Sequence, residues 1–306
     1  MAKAVRFDQY GGIDVLYVAD VAVPDPPPGE LVVEVRAAGL NPGEAAIRQG
    51  FLESRFPATF PSGEGTDLAG TVTRVGEGVQ AFAIGDEVVG WTDRRASHAE
   101  YVTVPEDHLI HKPTGLSWEV AGSLFVAGTT AFAAVRAVDA HAGDTVVVSA
   151  AAGGVGSIVV QLATVRGAEV VGIASAANHE WLRSVGVTPV AYGNGLADRI
   201  RAAAPNGVDA FIDTFGEEYL RLAVELGVEP DRIETIIAFD AAGEVGAKAE
   251  GSATAADTGV LADMADLVAS GRITVPIAAT YPLDQVQAAY AELEKRHTRG
   301  KIVLLP

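Results

Sequence analysis

The sequence has no cysteine among its 306 residues and only two methionines. The absence of thiols excludes disulfide bonds and thiolate-bound metal sites. Basic residues are also scarce, because 22 lysines and arginines stand against 40 aspartates and glutamates, for a net charge of −18. Such an excess of negative charge repels phosphate backbones and anionic lipid surfaces. The sequence therefore predicts neither a nucleic-acid partner nor a membrane partner.

The amino terminus lacks the apolar segment of a secretory signal, since Lys3, Arg6 and Asp8 interrupt it. We therefore expect a cytoplasmic protein. One uncharged stretch, residues 145–165, is long enough to cross a bilayer. It consists of a β-branched run at residues 145–148, a glycine-rich turn, and apolar residues at helical spacing. This pattern predicts a buried strand, a turn and a helix instead of a membrane span.

The first hundred residues contain short β-rich segments separated by turns rich in proline and glycine. We predict strands at residues 3–7, 15–23, 31–37, 68–75, 87–91 and 99–104. Closely spaced strands of this kind are typical of a barrel-like β unit.

From Trp118 the pattern changes to a helical segment that runs to Val138, followed by strands that alternate with helices. The predicted strands are 145–148, 169–174, 189–191, 210–213 and 233–238, and the helices between them begin near Ser157, Asn178, Leu196 and Glu217. Such alternation predicts βαβ units and a parallel sheet. Near the end of the chain, the sequence pattern predicts helices at 259–270 and 283–295 and strands at 275–281 and 302–305.

A glycine-rich turn follows the strand predicted at residues 145–148. It fits the dinucleotide fingerprint with its first glycine replaced, as Ala151-x-Gly153-x-x-Gly156. We expect Ala152, Gly153, Gly154, Val155 and Gly156 to bind a pyrophosphate, because glycines permit close backbone approach and the helix that follows presents free N–H groups. The alternative is a tight strand-to-helix turn that binds no ligand.

The end of the next predicted strand indicates which dinucleotide binds. A carboxylate there would bind the ribose 2′-hydroxyl of NAD, but the chain has Ser175, Asn178 and His179, and the first acid is Glu180. A 2′-phosphate is therefore not repelled, and the sequence favours NADP(H). The alternative for His179 is a solvated helix residue.

The chain resembles the zinc-free quinone oxidoreductases of the medium-chain dehydrogenase/reductase superfamily along essentially its whole length. The motifs that carry the resemblance are residues 38–42 (AGLNP), 47–50 (IRQG), 65–70 (GTDLAG), 75–79 (VGEGV), 85–88 (GDEV), 128–131 (GTTA), 150–156 (AAAGGVG) and 300–304 (GKIVL). The resemblance implies an α/β protein with a GroES-like β-barrel catalytic domain and a Rossmann-type, doubly wound parallel-sheet domain. We expect the first at residues 1–117 completed by 270–306, and the second, which binds NADP, at 118–269. It also implies a homodimer, paired through a sheet edge near residues 233–238 or its neighbour.

The resemblance further implies roles for individual side chains. Asn41 and Thr130 resemble the family's contacts around the nicotinamide, Tyr192 resembles its tyrosine near the adenosine phosphate, and Lys301 is expected to reach the cofactor. Phe215 and Phe239 follow predicted strands at the carboxyl ends where ligands collect, so they are further cofactor candidates. For each of these aromatic residues the alternative is core packing, and for Lys301 it is a solvated edge position.

The chain departs from the zinc-dependent relatives at their metal site. Those relatives hold zinc with a cysteine where this chain has Asn41 and a histidine where it has Thr66, beside an acid represented by Asp67. We therefore expect no metal and no Lewis-acid mechanism. Asn41, Arg48, Phe51 and Trp91 are the candidate substrate contacts; the alternatives are a solvated or ion-paired side chain for Arg48 and core or rim positions for the two aromatic residues.

Together these features predict an NADPH-dependent, zinc-independent oxidoreductase that reduces quinones or other activated α,β-unsaturated carbonyls by hydride transfer. Delocalisation of charge onto oxygen makes such acceptors reducible without a dedicated acid–base pair, so we assign no catalytic side chain. Two alternatives stay open: an enoyl or enone reductase of secondary metabolism, and an NADPH-binding redox sensor with little catalysis.

Overall fold

The computed structural model describes residues 1–306 and contains fourteen β-strands and ten α-helices. The strands are β1 (Ala2–Arg6), β2 (Tyr17–Val21), β3 (Glu30–Gly39), β4 (Asp67–Val75), β5 (Glu87–Trp91), β6 (Tyr101–Pro105), β7 (Leu109–His111), β8 (Thr145–Val148), β9 (Glu169–Ile173), β10 (Thr188–Val190), β11 (Ala210–Asp213), β12 (Ile233–Thr235), β13 (Ile277–Pro282) and β14 (Lys301–Leu305). The helices are α1 (Pro42–Arg48), α2 (Trp118–Ala121), α3 (Phe125–Ala137), α4 (Gly156–Val165), α5 (His179–Ser184), α6 (Leu196–Ala203), α7 (Glu217–Glu225), α8 (Phe239–Val245), α9 (Thr258–Ala269) and α10 (Val286–Glu294).

The chain divides into two units. Unit 1 comprises Met1–Val126, Asp257–Ala269 and Ile277–Pro306, and unit 2 comprises Ala127–Ala256 and Ser270–Pro276. This division differs from the predicted domains, which place residues 118–126 and 257–269 with the nucleotide-binding domain and 270–276 with the catalytic one. The predicted domain boundaries stay a prediction.

Unit 1 is built on a seven-stranded sheet in the order β13-β14-β3-β4-β5-β7, with β6 paired to β3. Strand β3 is its longest strand and pairs antiparallel with β4, β6 and β14. Alternate residues of β3, namely Leu31, Val33 and Val35, enter one hydrophobic cluster, because successive side chains of a strand point to opposite faces. The predicted β unit is therefore confirmed, with strand ends within about two residues of the expected ones.

Helix α1 was not predicted, although its sequence carries a start signal. Asn41 is the N-cap, Pro42 is the first helical residue, and the side chain of Glu44 accepts a hydrogen bond of 2.9 Å from the Asn41 amide. This is a capping box, in which the third helical residue satisfies a free N–H of the cap. The capping box fixes Asn41 and Glu44 beside each other in the interior of unit 1.

Unit 2 is built on a parallel sheet in the order β10-β9-β8-β11-β12. In the register, Val147 of β8 lies between Val171 of β9 and Phe211 of β11, and all three are buried in one cluster. The chain proceeds outward from β8 in one direction through β9 and in the other through β11. The reversal of strand order therefore lies between β8 and β11, where ligands of such sheets bind.

Two predicted elements end earlier than expected. The helix predicted from Trp118 to Val138 is interrupted after α2, where the Gly122 carbonyl accepts a hydrogen bond of 2.6 Å from the backbone amide of Gly39 in β3 instead of one from the next helical turn. Only glycine fits at this contact, since a Cβ on Gly122 would lie 2.3 Å from the Ala37 carbonyl oxygen. The strand predicted at 233–238 ends at Thr235, whose hydroxyl accepts hydrogen bonds from the amides of Ile237 and Ala238 and turns the chain.

The outer edge of β12 is already paired within unit 2. The Thr235 amide donates to the Lys248 carbonyl, and the Lys248 amide donates to the Ile233 carbonyl. These groups are therefore not available for pairing with another chain at this edge, and the homodimer stays a prediction. Residues 145–165 form β8, a turn and α4 as expected, and none of the helices is both long and apolar enough to span a membrane.

Candidate functional site

The turn between β8 and α4 has the backbone of a phosphate-binding loop. Ala150 adopts a left-handed conformation with φ 41°, and its carbonyl accepts a hydrogen bond of 2.8 Å from the Gly153 amide. A Cβ on Gly156 would lie 2.3 Å from that same carbonyl oxygen, so only glycine fits there. Ala152 is buried, whereas Gly153, Gly154 and Val155 are half-buried.

The amino terminus of α4 is open to a ligand. Its N-cap is Val155, whose apolar side chain has no atom that could accept a capping hydrogen bond. The first N–H groups of any helix lack intrahelical partners and carry the positive end of the helix dipole. In this ten-residue helix the amides of Ser157 and Ile158 already donate to the Gly153 and Val155 carbonyls, each at 2.9 Å. The amides of Gly154, Val155 and Gly156 donate to no backbone carbonyl, so these are the donors that could bind a pyrophosphate.

A buried carboxylate organises the neighbouring strand end. Asp213 ends β11, and its Oδ1 accepts hydrogen bonds from the Ser149 hydroxyl at 2.7 Å and from the amides of Phe215 and Gly216 at 2.9 and 3.1 Å. Its Oδ2 accepts from the Thr235 hydroxyl at 2.8 Å. Burial raises the pKa of Asp213, and these donors oppose the rise. One side chain therefore holds the ends of β8, β11 and β12 together.

The end of β9 carries polar side chains and no carboxylate before α5. The side-chain Nδ2 of Asn178 donates to the Ser175 hydroxyl at 3.2 Å. His179 Nε2 lies 3.3 Å from the Ala174 carbonyl oxygen. All three side chains are half-buried, whereas Glu180 is exposed on α5. The structure thus brings together the three residues predicted to read the 2′-phosphate.

The other cofactor candidates of unit 2 differ in exposure. Tyr192 is 53% exposed and Phe239 is 49% exposed, so neither is a core residue. Phe215 packs against the hydrophobic cluster and contacts the Tyr219 ring edge-on at 5.7 Å between centroids. Thr130 is buried within α3.

Unit 1 contains a buried polar cluster, which we define as Asn41, Glu44, Asp67, Tyr290 and Lys301. Glu44 accepts four hydrogen bonds at the centre of this cluster. One carboxylate oxygen accepts from the backbone amide of Asn41 at 2.9 Å and from the Tyr290 hydroxyl at 3.0 Å. The other accepts from the backbone amide of Thr66 at 2.9 Å and from the side-chain Nδ2 of Asn41 at 3.2 Å. Burial, reinforced by the Glu44 charge, raises the pKa of Tyr290 well above its ordinary value, so Tyr290 stays protonated.

Asp67 and Lys301 form the other half of the buried polar cluster. The Lys301 ammonium donates to the Leu40 carbonyl at 2.9 Å and to Asn41 Oδ1, and it lies 3.5 Å from Asp67 Oδ2. Asp67 also accepts from Asn41 Nδ2 at 3.2 Å and, through Oδ1, from the Val126 amide at 2.8 Å. Burial raises the pKa of Asp67, and Lys301 opposes the rise. Lys301 is therefore an interior residue and not a solvated edge lysine.

Arg48 is the largest fully buried side chain of the protein. Its guanidinium binds Glu64 at 2.9 Å and Glu294 at 3.0 Å and lies over the Tyr290 ring at 4.5 Å. Burial raises the pKa of Glu64 to about 8, against the opposing effect of Arg48. Because both terminal nitrogens of the guanidinium are bound to carboxyl groups of unit 1, these contacts do not support the predicted substrate role and favour the ion-pair alternative.

The two aromatic substrate candidates lie in opposite environments. Trp91 is buried and its ring is stacked between His108 at 4.3 Å and Phe125 at 4.0 Å. This packing favours the core alternative for Trp91. Phe51 is 78% exposed and follows α1, so it is accessible to a ligand.

Comparisons with known proteins agree with this geometry. Residues 27–114 match the family model of the alcohol dehydrogenase GroES-like domain, and residues 185–304 match that of zinc-binding dehydrogenases. The chain is 31% identical to the chloroplastic NADPH-dependent alkenal/one oxidoreductase of Arabidopsis thaliana, over 99% of this chain and 79% of the relative. It is 29% identical to a quinone oxidoreductase of Pseudomonas aeruginosa over the full length of both. The structure of a quinone oxidoreductase from Coxiella burnetii matches with a TM-score of 0.90 and 30% identity, over 100% of this chain and 99% of that one.

The chain belongs to the zinc-free quinone oxidoreductase family of the medium-chain dehydrogenase/reductase superfamily. The expected GroES-like domain and parallel Rossmann-type sheet are confirmed. The structure of an Escherichia coli quinone oxidoreductase complexed with NADPH also matches, with a TM-score of 0.86 and 26% identity over the full length of both chains.

The residues of this chain that stand at the zinc site of the zinc-dependent dehydrogenases do not fit a metal ion. The side-chain nitrogen of Asn41 donates hydrogen bonds to the carboxylates of Glu44 and Asp67, and its side-chain oxygen accepts one from the Lys301 ammonium. The ammonium also lies 3.5 Å from Asp67 Oδ2. A cation at this place would meet the positive charge of Lys301 and no thiolate ligand. No group of three or more histidine, aspartate or glutamate side chains is arranged to hold a metal elsewhere.

Several residues that build these sites were missed by the sequence reasoning. Glu44 was identifiable from the capping box Asn41-Pro42-x-Glu44. Asp213 was identifiable as an acid at the carboxyl end of a predicted strand. Tyr290 carried no signal, because a tyrosine on an amphipathic helix does not indicate which buried acid it contacts.

Proposed function

We propose that this protein is an NADPH-dependent oxidoreductase that reduces quinones, or other activated α,β-unsaturated carbonyls, without a metal. The observation that carries the proposal is the Gly153–Gly156 turn before α4, whose amides at residues 154–156 donate to no backbone carbonyl, at the point where the strand order of the parallel sheet reverses. The relatives named quinone oxidoreductase and the NADPH complex of the Escherichia coli protein support the cofactor and the reaction class.

The proposed cofactor contacts follow the sequence predictions. Backbone groups from Ala152 to Gly156 bind the pyrophosphate, and Ser175, Asn178 and His179 bind the 2′-phosphate. The remaining proposed contacts are Tyr192, Phe215 and Phe239 along the cofactor, with Asn41, Thr130 and Lys301 towards the nicotinamide. For Lys301 the hydrogen bonds support an indirect role, through Asn41.

The protein contributes orientation and exclusion of water. When bound, NADPH supplies the hydride. The helix terminus and the loop held by Asp213 fix the position of the nucleotide, so that its reactive carbon meets a flat acceptor in one orientation. Charge delocalises onto the acceptor oxygen and solvent completes the protonation, so no side chain is assigned as a proton donor.

Activated alkenes form the second candidate substrate class. The Arabidopsis thaliana relative, named as an NADPH-dependent alkenal/one oxidoreductase, favours it. Phe51 is the proposed apolar contact for either acceptor, since it is exposed next to α1. The redox-sensor alternative predicts cofactor binding without turnover.

The test is the oxidation of NADPH and NADH by the purified protein, with 1,4-benzoquinone, an enone and ethanol as separate substrates and a blank without protein. We expect turnover of the quinone or the enone with NADPH and none with ethanol. Ser175→Asp adds a carboxylate beside the 2′-phosphate position and is expected to lower kcat/KM for NADPH by about tenfold or more, whereas Ser184→Asp, at the far end of α5, leaves it unchanged. NADPH binding without turnover of any substrate would contradict the enzymatic proposal and favour the sensor.

A further inference from the structure

Three oxygen acceptors surround the Lys301 ammonium inside unit 1. They are the Leu40 carbonyl at 2.9 Å, Asn41 Oδ1, and Asp67 Oδ2 at 3.5 Å. An ammonium has three N–H donors, so each donor has one acceptor. The side chain is only 4% exposed, so this arrangement is a built site for a compact cation.

The cation also decides how the Asn41 amide is oriented. Its nitrogen donates to Glu44 and Asp67, both carboxylates, and its oxygen accepts from Lys301. The reversed amide would direct its oxygen at two carboxylates and its N–H₂ group at the ammonium, which electrostatics opposes. Lys301 therefore excludes the reversed orientation.

We propose that the Lys301 ammonium is a built-in cation that replaces the metal ion of the zinc-dependent dehydrogenases and positions the Asn41 carboxamide for the reaction. Lys301 acts through Asn41 and is a positioning residue, because all three of its donors are engaged and the side chain is buried. The kinetic part of this inference rests on the proposed function.

Two substitutions separate the charge from the space that it occupies. Lys301→Ala removes the ammonium and leaves a cavity lined by three oxygen atoms, whereas Lys301→Met fills the space without a charge. We expect kcat of both variants to fall by about tenfold or more, with KM for NADPH changed by less than about threefold, since the proposed nucleotide contacts of unit 2 are intact. Lys295→Ala is the matched control, because Lys295 is an exposed lysine paired only with Glu292.

Chemical rescue tests the site itself. Ethylammonium chloride at millimolar concentrations is expected to raise both the melting temperature and kcat of Lys301→Ala, and to leave Lys301→Met and Lys295→Ala unchanged. Tetramethylammonium, which has no N–H donor, is the salt control and is expected to rescue neither quantity.

Each outcome separates the inference from the proposed function. Wild-type kcat in Lys301→Met, or no rescue of Lys301→Ala by ethylammonium, would overturn the inference. If Lys301→Ala does not fold, its refolding yield is measured with each salt, and equal yields would overturn the inference as well. The melting temperature is measured without substrate. If the protein shows no turnover, the proposed function is contradicted, but a rise in the melting temperature of Lys301→Ala with ethylammonium would still support the cation site.

Discussion

The Ser149 hydroxyl donates a 2.7 Å hydrogen bond to the buried Asp213 carboxylate, which joins the carboxyl ends of β8 and β11. These are the two strands between which the order of the sheet reverses. The same carboxylate accepts from the amides of Phe215 and Gly216, so the loops at both strand ends share one acceptor.

Asp213→Asn is expected to weaken NADPH binding. The amide keeps the shape of the side chain but replaces Oδ2 with an N–H₂ group that faces the Thr235 hydroxyl, whose oxygen already accepts from the backbone amides of Ile237 and Ala238, at a cost of about 1–3 kcal/mol. We expect Kd for NADPH, measured by fluorescence titration, to rise about tenfold as the loops loosen. Asp198→Asn on the exposed face of α6 is the control, and equal affinities in the two variants would contradict the role of Asp213.

Gly156→Ala is expected to weaken nucleotide binding strongly. The added Cβ would lie 2.3 Å from the Ala150 carbonyl oxygen, which is backbone and has no room to move aside without shifting the turn. Calorimetric titration with NADPH is expected to show a loss of affinity of about a hundredfold. Gly243→Ala serves as the control because a Cβ there meets no atom within 4 Å. If Gly156→Ala bound NADPH as tightly as this control, the proposed phosphate-binding turn would be refuted.

Arg48→Met is expected to destabilise the protein without changing the kinetic constants of the folded fraction. Removing the guanidinium leaves the buried Glu64 carboxyl without its hydrogen-bond partner and removes the contacts with Glu294 and the Tyr290 ring, at a cost of about 1–3 kcal/mol. Urea unfolding measures this loss against Arg166→Met, an exposed replacement in unit 2. A raised KM for the quinone with unchanged stability would instead support the substrate role predicted from the sequence.

Glu234→Gln is expected to alter the pH dependence of stability. Burial raises the pKa of Glu234 from its ordinary value of 4.5 to about 8. Between those values the native protein holds a proton that the unfolded chain has lost, so this group lowers the free energy of unfolding as pH rises, by up to about 1.4 kcal/mol per unit.

The measurement is urea unfolding of wild type and Glu234→Gln at several pH values from 5 to 8. The stability of wild type relative to the variant is expected to fall steadily across this range, because glutamine does not titrate. Glu244→Gln, at an exposed position of α8, is the control and is expected to give a constant difference. A constant difference for Glu234→Gln as well would show that its carboxyl ionises normally.

Local patterns in the sequence were sufficient for most of the fold. The run Thr145–Val148, the glycine turn and the apolar helix after it were predicted because hydrophobic periodicity and turn chemistry act over a few residues. The same local reasoning failed at Gly122 and Thr235, where contact with β3 and a side-chain hydrogen bond to the backbone ended the elements early.

The sequence by itself determined the two kinds of sheet, the loop at Gly153 and Gly156, and the absence of thiolate ligands. It also determined that Ser175, and not a carboxylate, stands at the end of the second strand of the parallel sheet. Only the tertiary structure decided that Lys301 and Arg48 are interior cations. Lys301 lies 260 residues from Asn41 along the chain, and Glu294 lies 246 residues from Arg48. A charged residue is favoured in the interior only where folding places its partners around it, and no local pattern records partners so far away.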